Sequence, residues 1–474
     1  MLNVQTDLGE QVLVLGDAAQ TAAQQEAAFV SGKRVSLQGV FLSRGAGAVR
    51  VVSGHPVAKA QYCFVGNDIG ATVPNRSAAV RAVLAQTVTF SANESTGAIC
   101  PGTSKPRGCP NTPCTTAQLK KVLFSSAVLG GNPAADTVGR GFEKCSFGTT
   151  KFETSAKLAD MVNIPCSGIT NGVAWTFTKC DFDDFNGYAD KADEVLAKRG
   201  INMDNYRYTV YLLPPSLGCN WVGLGYVGCD GSFRCRVWAY IHELQHNLYL
   251  NHAGGYTETG EFDEYNDNTC PMGRCCMSRC PNVAHGWQLG WYKLQQFNPE
   301  HLKPGTTVAV KLSPGAALAK APLVEGVRLN ITWSKLVPEP LFIGYRAKIA
   351  ATPDMLLDPA YLNRVHIYSA NIQNSMDPVL TTYKASLAYT AGCSAKSSPP
   401  CFWSVADVVI RVTANNATQA TVNICRKVTG GKETRATCMA KVDGDCNGKV
   451  GPNDKACIDL LKAAAPKATT VPLP

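Results

Sequence analysis

A helix is predicted for the stretch Val237-Trp238-Ala239-Tyr240-Ile241-His242-Glu243-Leu244-Gln245-His246-Asn247-Leu248. Its aliphatic residues at positions 237, 241, 244 and 248 fall on one stripe at about 100° per residue. His242 and His246 project from the roughly opposite side, and side chains four residues apart on a helix lie one above the other. The two imidazoles can therefore bind one ion, and Glu243 can reach a water molecule there, which is the H-E-x-x-H zinc pattern. The alternative is an amphipathic helix that exposes two histidines by chance.

His252 favours the metal interpretation, because a catalytic zinc takes three protein ligands and keeps one position open. A continuous helix would turn His252 away from the other two histidines, so the helix must end before it. Metzincin peptidases have a glycine at this break, where a positive φ has little cost. This chain has Tyr249 instead. Either Tyr249 adopts the left-handed conformation at about 1–2 kcal/mol, or Asn251 makes the turn.

An acidic run follows His252, and three interpretations of it remain open. It can be solvated surface, a calcium site, or the source of a glutamate third zinc ligand if Tyr249 keeps His252 from the ion. The run consists of Glu258, Glu261, Asp263, Glu264 and Asp267.

Met272 lies in a turn-rich segment twenty residues after His252. Metzincins place a methionine-containing turn beneath the zinc as an apolar floor, and a lone methionine otherwise fills a core. Together with the three histidines, Met272 is predicted to be the methionine of such a turn.

These motifs resemble the gametolysin family, the metalloproteases of volvocine green algae that digest the glycoprotein cell wall. The resemblance covers about residues 85–300 well and the flanking regions loosely. It implies a secreted zinc endopeptidase with a metzincin-like fold that acts on hydroxyproline-rich wall or matrix proteins. The segments that carry it are His242–His246 with His252, Glu264–Tyr265, Pro271–Gly273, His285–Trp291, Phe142–Gly148, Ile164–Cys166 and Gly223–Tyr226.

Composition and local pattern predict a multidomain chain. Of 474 residues, 45% are hydrophobic and 17% charged, which excludes wholesale disorder and leaves room for about three domains. We expect a small β-rich N-terminal domain over 1–85, an α/β metzincin-like domain over 86–300, a β-sandwich over 301–430, and a tail over 431–474. Whether residues 1–85 form a removed pro-region is left open.

Cysteine usage favours an oxidising, extracellular compartment. The chain has 20 cysteines, far more than a cytosolic enzyme usually keeps. Four N-glycosylation patterns agree with secretion, at Asn75, Asn93, Asn330 and Asn416. The first seven residues lack a basic flank and an apolar block, so we expect any signal peptide to be absent from the chain as given.

Two classes of partner are not expected. No run of eighteen apolar residues occurs, so no membrane span is predicted. The net charge of +9, from 45 basic and 36 acidic residues, is spread thinly, which does not indicate nucleic-acid binding. The expected partners are protein substrates of the cell wall or extracellular matrix.

Three weaker patterns lie outside the histidine segment. Gly223–Gly228 matches G-x-G-x-x-G by letter, but the next helix carries the histidines, so we expect a flexible loop near the substrate cleft. Cys109 could block the zinc as a latency cysteine, although pairing with Cys114 is the commoner fate. The residues Asp443, Asp445, Asn447 and Asp454 follow the spacing of a calcium loop of dockerin type, with Asp454 in place of the usual glutamate.

Two functions are consistent with these residues. The first is zinc-dependent peptide hydrolysis with His242, His246 and His252 as metal ligands and Glu243 as general base. The second is a non-catalytic matrix or wall glycoprotein that uses an inherited peptidase scaffold for binding. The intact Glu243 argues against the second, because a protein without catalysis has little physical reason to keep a base between two ligands.

Overall fold

The structure is a computed structural model. It describes six short strands within residues 2–64 and most of residues 79–463. In the second part there are a few short gaps, and the longer gaps are 101–119, 124–136, 153–157, 214–222, 226–231, 234–236 and 275–278. The chain is mixed α/β with several sheets and few helices, which confirms the expected class at this level.

The first 64 residues contribute one six-stranded sheet with the order β3-β6-β1-β2-β5-β4. Its pairings are antiparallel except for that of β2 with β5. The strands are β1 (Leu2–Gln5), β2 (Gln11–Leu15), β3 (Arg34–Ser36), β4 (Val40–Gly45), β5 (Ala48–Ser53) and β6 (Gln61–Phe64).

A largely parallel sheet follows, with the order β11-β8-β14-β15 and β9 paired antiparallel to β8. All five residues of β14 are buried, as expected where a parallel strand is covered on both faces. The strands are β8 (Val83–Asn93), β9 (Ala98–Ile99), β11 (Leu158–Pro165), β14 (Tyr208–Leu212) and β15 (Ser232–Phe233).

Two small pairs of strands and two helices accompany this sheet. The first helix begins after Thr137, whose side chain accepts from the Arg140 N–H, and the second begins at a capping box formed by Asp181 and Asp184. Gly200 follows the last turn of the second helix with a φ of 81°, the left-handed conformation in which glycine often ends a helix. These elements are β7 (Ala79–Arg81), α1 (Val138–Cys145), β10 (Thr150–Phe152), β12 (Ser167–Thr170), β13 (Val173–Thr176) and α2 (Phe182–Lys198).

A seven-stranded sheet has the order β17-β16-β23-β22-β21-β20-β18. It joins strands from both sides of the predicted domain boundary at residue 300, since β16 pairs with β23 and β18 pairs with β20. Its strands are β16 (Ala253–Tyr256), β17 (Phe262–Asp263), β18 (Leu294–Phe297), β20 (Gly326–Leu329), β21 (Leu341–Arg346), β22 (Arg364–Ser369) and β23 (Thr381–Leu387).

A four-stranded antiparallel sheet, β19-β26-β25-β24, shares one apolar core with β20 to β23. Its strands are β19 (Thr307–Leu312), β24 (Phe402–Val405), β25 (Val408–Asn416) and β26 (Gln419–Arg426). The remaining helices are α3 (Val237–His246), α4 (Val283–Gln288), α5 (Arg435–Ala440) and α6 (Lys455–Ala463).

A second apolar core surrounds α3, and it combines residues of α1, α3 and α4 with residues of β14, β21 and β22. Ile241 and Leu244, on the predicted aliphatic stripe, are each only 2% exposed. Large-to-small changes in such a core typically cost several kcal/mol. Packing on this stripe therefore sets the orientation of the opposite face of α3, where the histidines lie.

A buried ion pair ties the segment before α4 to the seven-stranded sheet. Arg346 on β21 bonds Asp354 at 2.6 Å and donates to the backbone oxygens of Thr269, Cys280 and Pro281. The guanidinium thus meets one carboxylate and three backbone oxygens, which compensates the burial of its charge. The segment that contains Met272 is consequently held at both of its ends.

Disulfides are confirmed for five pairs within the described residues. One of them, Cys145–Cys280, joins the end of α1 to the segment before α4. A cross-link over this span stabilises mainly by restricting the unfolded chain. The other pairs are Cys100–Cys166, Cys393–Cys401, Cys425–Cys446 and Cys438–Cys457.

Membrane crossing finds no support in the described part of the chain, where no helix has the length and apolar character that it requires.

His366 on β22 should make the fold acid-sensitive. Burial lowers the pKa of His366 to about 3, and its Nε2 lies 2.8 Å from the Tyr361 oxygen. The unfolded chain takes up this proton near pH 6.5, so the contribution to stability falls by up to about 1.4 kcal/mol per pH unit as pH drops from 6.5 toward 3. In urea unfolding at pH 7, 6 and 5, the difference in stability between the wild type and His366→Gln should shrink toward pH 5. A difference that does not change with pH would contradict this assignment.

Candidate metal centre

The end of α3 sets the position of His252. The helix ends at His246, and the Leu250 N–H donates to the Gln245 oxygen in a closing turn. Tyr249 has a φ of 68°, so of the two expected solutions the chain uses the strained tyrosine. The Nε2 of Gln288 on α4 donates to the Tyr249 oxygen at 3.1 Å, which helps to hold this conformation.

The turn brings three imidazoles together. The ring centroids of His242 and His246 are 4.8 Å apart, and the His252 ring lies 5.5 Å from the first and 4.9 Å from the second. One nitrogen from each ring lies within 4.8 Å of the others. His242 and His246 are buried, and His252 is partly exposed. One side of the cluster is therefore open to solvent.

The remaining ring nitrogens already have acceptors. The Nδ1 of His242 lies 2.8 Å from the Pro271 oxygen and that of His246 2.7 Å from the Leu250 oxygen. A carbonyl oxygen only accepts, so both Nδ1 atoms carry the proton and both Nε2 atoms present lone pairs. The Nδ1 of His252 lies 3.1 Å from Glu264.

The facing nitrogens form a donor pair that a cation would fit. The two Nε2 atoms of His242 and His246 are 3.2 Å apart, and two lone pairs at this distance repel each other unless a positive charge lies between or beside them. Two protonated rings in the same buried space would also repel. A divalent metal of the zinc type fits this donor set, since it is bound by neutral imidazoles whose other nitrogen is hydrogen-bonded.

Burial changes the protonation of the helical residues. Desolvation lowers the pKa of His242 to about 4, with the Pro271 oxygen opposing it, and also lowers the pKa of His246 well below its ordinary value. Desolvation raises the pKa of Glu243 to about 8, against a hydrogen bond from the Gly225 N–H. A cation at the imidazoles would act in the opposite direction on the carboxyl group.

Two glycines pack directly against Glu243. A Cβ at position 223 would lie 2.2 Å from Oε1 of Glu243, and one at position 225 would lie 2.6 Å from its backbone oxygen. The segment Gly223–Gly225 thus covers the carboxyl group at a distance that only glycine permits. We expected a loop near the cleft here but did not predict contact with the base, although two glycines spaced by one residue were a signal.

Gly223→Ala should displace the base without removing the metal. The added methyl group must push Oε1 of Glu243 away, and a misplacement of this size costs about 10²-fold in kcat. We expect zinc content to stay at the wild-type level and KM to change little. Gly315→Ala is the matched control, because its nearest neighbours would lie at an ordinary 3.7 Å. Steady-state kinetics with zinc analysis measure both variants, and equal kcat values for both would argue against a positioned base.

The structure places Met272 next to the ligand turn. Met272 is fully buried in a small cluster with Leu250, Ala253 and Cys270, and its oxygen accepts from the Ala253 N–H. Pro271, which precedes it, provides the acceptor for His242. The methionine segment therefore supports both the turn and one imidazole, while its role as a Met-turn stays a prediction.

The acidic run divides into an exposed and a buried part. Glu258, Glu261 and Glu264 are exposed, whereas Asp267 is buried and accepts from Thr269 and Asn282. Glu264 does not replace His252 in the cluster but bonds its Nδ1. This carboxylate favours the tautomer whose Nε2 faces the other rings.

Tyr265 is a second residue that we did not predict at the site. Its ring lies 4.2 Å from that of His252 and 6.3 Å from that of His242, measured between centroids. Burial and the charges of Glu264 and Glu243 raise the pKa of Tyr265 to about 12. The phenol therefore stays protonated at neutral pH.

The proposed calcium loop has its residues together but already paired. Asp443 accepts from the N–H groups of Asn447 and Gly448, and the Asn447 amide donates to Asp445 and Asp454. Cys446 pairs with Cys425 rather than closing the loop on itself. Nothing in these contacts requires an ion, and the calcium site stays a prediction.

The remaining predicted residues lie away from the cluster or outside the described residues. Asn93 and Asn416 are exposed and Asn330 is half-buried, so the first two are accessible to a modifying enzyme. Cys109 and Asn75 lie outside the described residues.

The cluster has three imidazoles, two of which share helix α3 with the carboxyl group of Glu243. Metallohydrolases use a donor set of this kind. A model of the gametolysin peptidase M11 family matches residues 108–400. The chain belongs to the gametolysin peptidase M11 family, which confirms the resemblance in its sequence. The name of this family is that of a peptidase.

One curated relative is the autolysin of Chlamydomonas reinhardtii. It is 30% identical over 99 residues, which cover 18% of this chain and 15% of that protein. The chain therefore spans only a small part of the length of this relative.

Proposed function

We propose that this protein is a secreted zinc endopeptidase that hydrolyses peptide bonds in cell-wall or extracellular-matrix glycoproteins. The observation that carries the proposal is the pair of facing Nε2 lone pairs of His242 and His246, with His252 beside them. The family and the name of the autolysin relative support a peptidase with a substrate of this kind. The disulfides support an extracellular location.

The proposal includes a metzincin-like arrangement of the catalytic region and a C-terminal β-sandwich. Support for the first comes from the helix, the strained turn and the buried methionine segment. Support for the second comes from the apolar core that the four-stranded sheet shares with β20 to β23.

In the proposed mechanism, His242, His246 and His252 would hold zinc, whose Lewis acidity would polarise the scissile carbonyl and make water more acidic. Glu243 takes a proton from the attacking water on its carboxylate and passes it to the leaving amine. The Gly225 N–H and the close contact of Gly223 keep that carboxylate in place. Glu264 keeps the His252 ring oriented.

The proposal is tested by digestion of casein or gelatin with and without a zinc chelator. We expect cleavage by the zinc-loaded protein, loss of cleavage on chelation, and recovery when zinc is restored. Persistent absence of cleavage with zinc bound would favour the non-catalytic matrix glycoprotein instead.

A further inference from the structure

Tyr265 lies on the open side of the imidazole cluster. It follows β17, and its ring packs at 4.2 Å against His252, the most exposed of the three histidines, and lies over His242 at an interplanar angle of 28°. The tyrosine is 38% exposed. The ring of Tyr265 therefore borders the cluster and is accessible to solvent.

Two hydrogen bonds hold the loop around Tyr265, whereas the hydroxyl of Tyr265 is left available. The Tyr265 N–H donates to Asp263 at 2.9 Å, and the neighbouring Asn266 donates to the Tyr256 oxygen, also at 2.9 Å. Within the described part of the chain, the Tyr265 hydroxyl makes no hydrogen bond. A ring that packs against His252 and keeps an unused donor is suited to bind an acceptor that arrives with the substrate.

Other side-chain donors near the cluster are already used. Arg279 is 5% exposed and donates to backbone oxygens of Cys270, Asn268 and Arg274. The Asn251 amide donates to the Pro378 oxygen. Tyr265 thus differs from both by having its donor free at the exposed side.

Peptide hydrolysis creates a need for such a donor. As water adds to the carbonyl carbon, negative charge develops on the carbonyl oxygen, and a preorganised hydrogen-bond donor stabilises that charge. A tyrosine hydroxyl carries a proton at neutral pH and can donate such a hydrogen bond.

We propose that Tyr265 is a catalytic residue whose phenol donates a hydrogen bond to the oxygen of the scissile carbonyl. The proton stays on the tyrosine, and no bond to it forms or breaks. The inference rests on the proposed function, and it goes further by assigning an oxyanion donor in this chain.

Tyr265→Phe tests the inference, because it removes the hydroxyl and keeps the ring. Tyr256→Phe is the matched control, since Tyr256 lies on the adjacent strand β16 and is 58% exposed. In the full zinc-loaded chain, we expect kcat of Tyr265→Phe to fall by about 10²-fold with KM and zinc content unchanged. The control should retain the wild-type kcat.

A binding measurement separates this role from that of an apolar wall, without using activity. In the Glu243→Gln background, titration calorimetry gives the affinity of a peptide substrate and of a phosphonamidate peptide, which carries tetrahedral anionic oxygens. Adding Tyr265→Phe should weaken the phosphonamidate about as much as it lowers kcat and leave peptide affinity unchanged.

The possible results of these experiments distinguish a failure of the Tyr265 assignment from a failure of the proposed function. If the wild type hydrolyses peptides and Tyr265→Phe does so equally fast, or if peptide and phosphonamidate weaken equally, the assignment of Tyr265 is overturned while the peptidase function stands. If the wild type with zinc bound hydrolyses nothing, the proposed function fails and this inference fails with it.

Discussion

Glu243→Gln is expected to bind zinc as the wild type does and to hydrolyse peptides about 10²- to 10⁴-fold more slowly. The amide is isosteric with the carboxyl group, so the contacts with Gly223 and the N–H of Gly225 change little in shape. What is lost is the ability to accept a proton, and general base catalysis is typically worth this factor. The loss corresponds to about 3 to 5 kcal/mol of transition-state stabilisation.

The measurement is kcat with a fluorogenic peptide, together with metal analysis of the same preparation. The nearby Gln245 is unsuitable as a control position for the loss of Glu243, because Gln245 is itself buried in α3. Glu258→Gln is the better control, since this glutamate is exposed in the acidic run and makes no contact with the cluster. Wild-type turnover by Glu243→Gln would refute the assignment of the base.

His246→Gln is expected to abolish tight zinc binding and with it both activity and the stabilisation that zinc confers. His246 is 6% exposed and supplies one of the two facing Nε2 atoms. Removing one of three ligands leaves the ion with two imidazoles, one of which is partly exposed. A ligand that binds only the folded state at 100 times its Kd stabilises that state by about 2.7 kcal/mol, and this increment should disappear.

Thermal unfolding with and without added zinc measures this effect. The wild type should show a higher Tm when zinc is present, and His246→Gln should show the same Tm in both conditions. His301→Gln, at an exposed histidine near the start of the C-terminal region, should behave as the wild type does. A zinc-dependent Tm in His246→Gln would contradict its role as a ligand.

The helical part of the site could be predicted because its signal is local. The apolar stripe and the four-residue spacing of His242 and His246 depend only on helix geometry, and α3 covers Val237–His246. The end of the predicted helix was placed at 248, two residues too late, because hydrophobic periodicity does not mark where a turn starts. The position of the strain was one of two alternatives, and the left-handed φ at Tyr249 resolved it.

The contacts that complete the site depend on the tertiary fold, and no local pattern contains them. Gly223 reaches Glu243 across twenty positions of chain, and Tyr265 reaches His252 only because β16 and β17 form a hairpin. The pairing of strand β16 depends on the tertiary fold in the same way, and the boundary at residue 300 stays a prediction. Strand β16 directly follows His252 and pairs with β23 beyond residue 380, a long-range parallel pairing that periodicity cannot reveal.

The metal itself provides the most direct test of the central claim that three imidazoles bind one zinc ion. The measurement is a zinc-edge X-ray absorption spectrum of the purified full chain, with zinc counted per molecule. We expect one zinc per chain with three imidazole nitrogens at about 2.0–2.1 Å. In His252→Ala we expect one fewer imidazole nitrogen around the zinc. A chain that binds no stoichiometric zinc, or whose zinc spectrum is the same with and without the ring of His252, would contradict it.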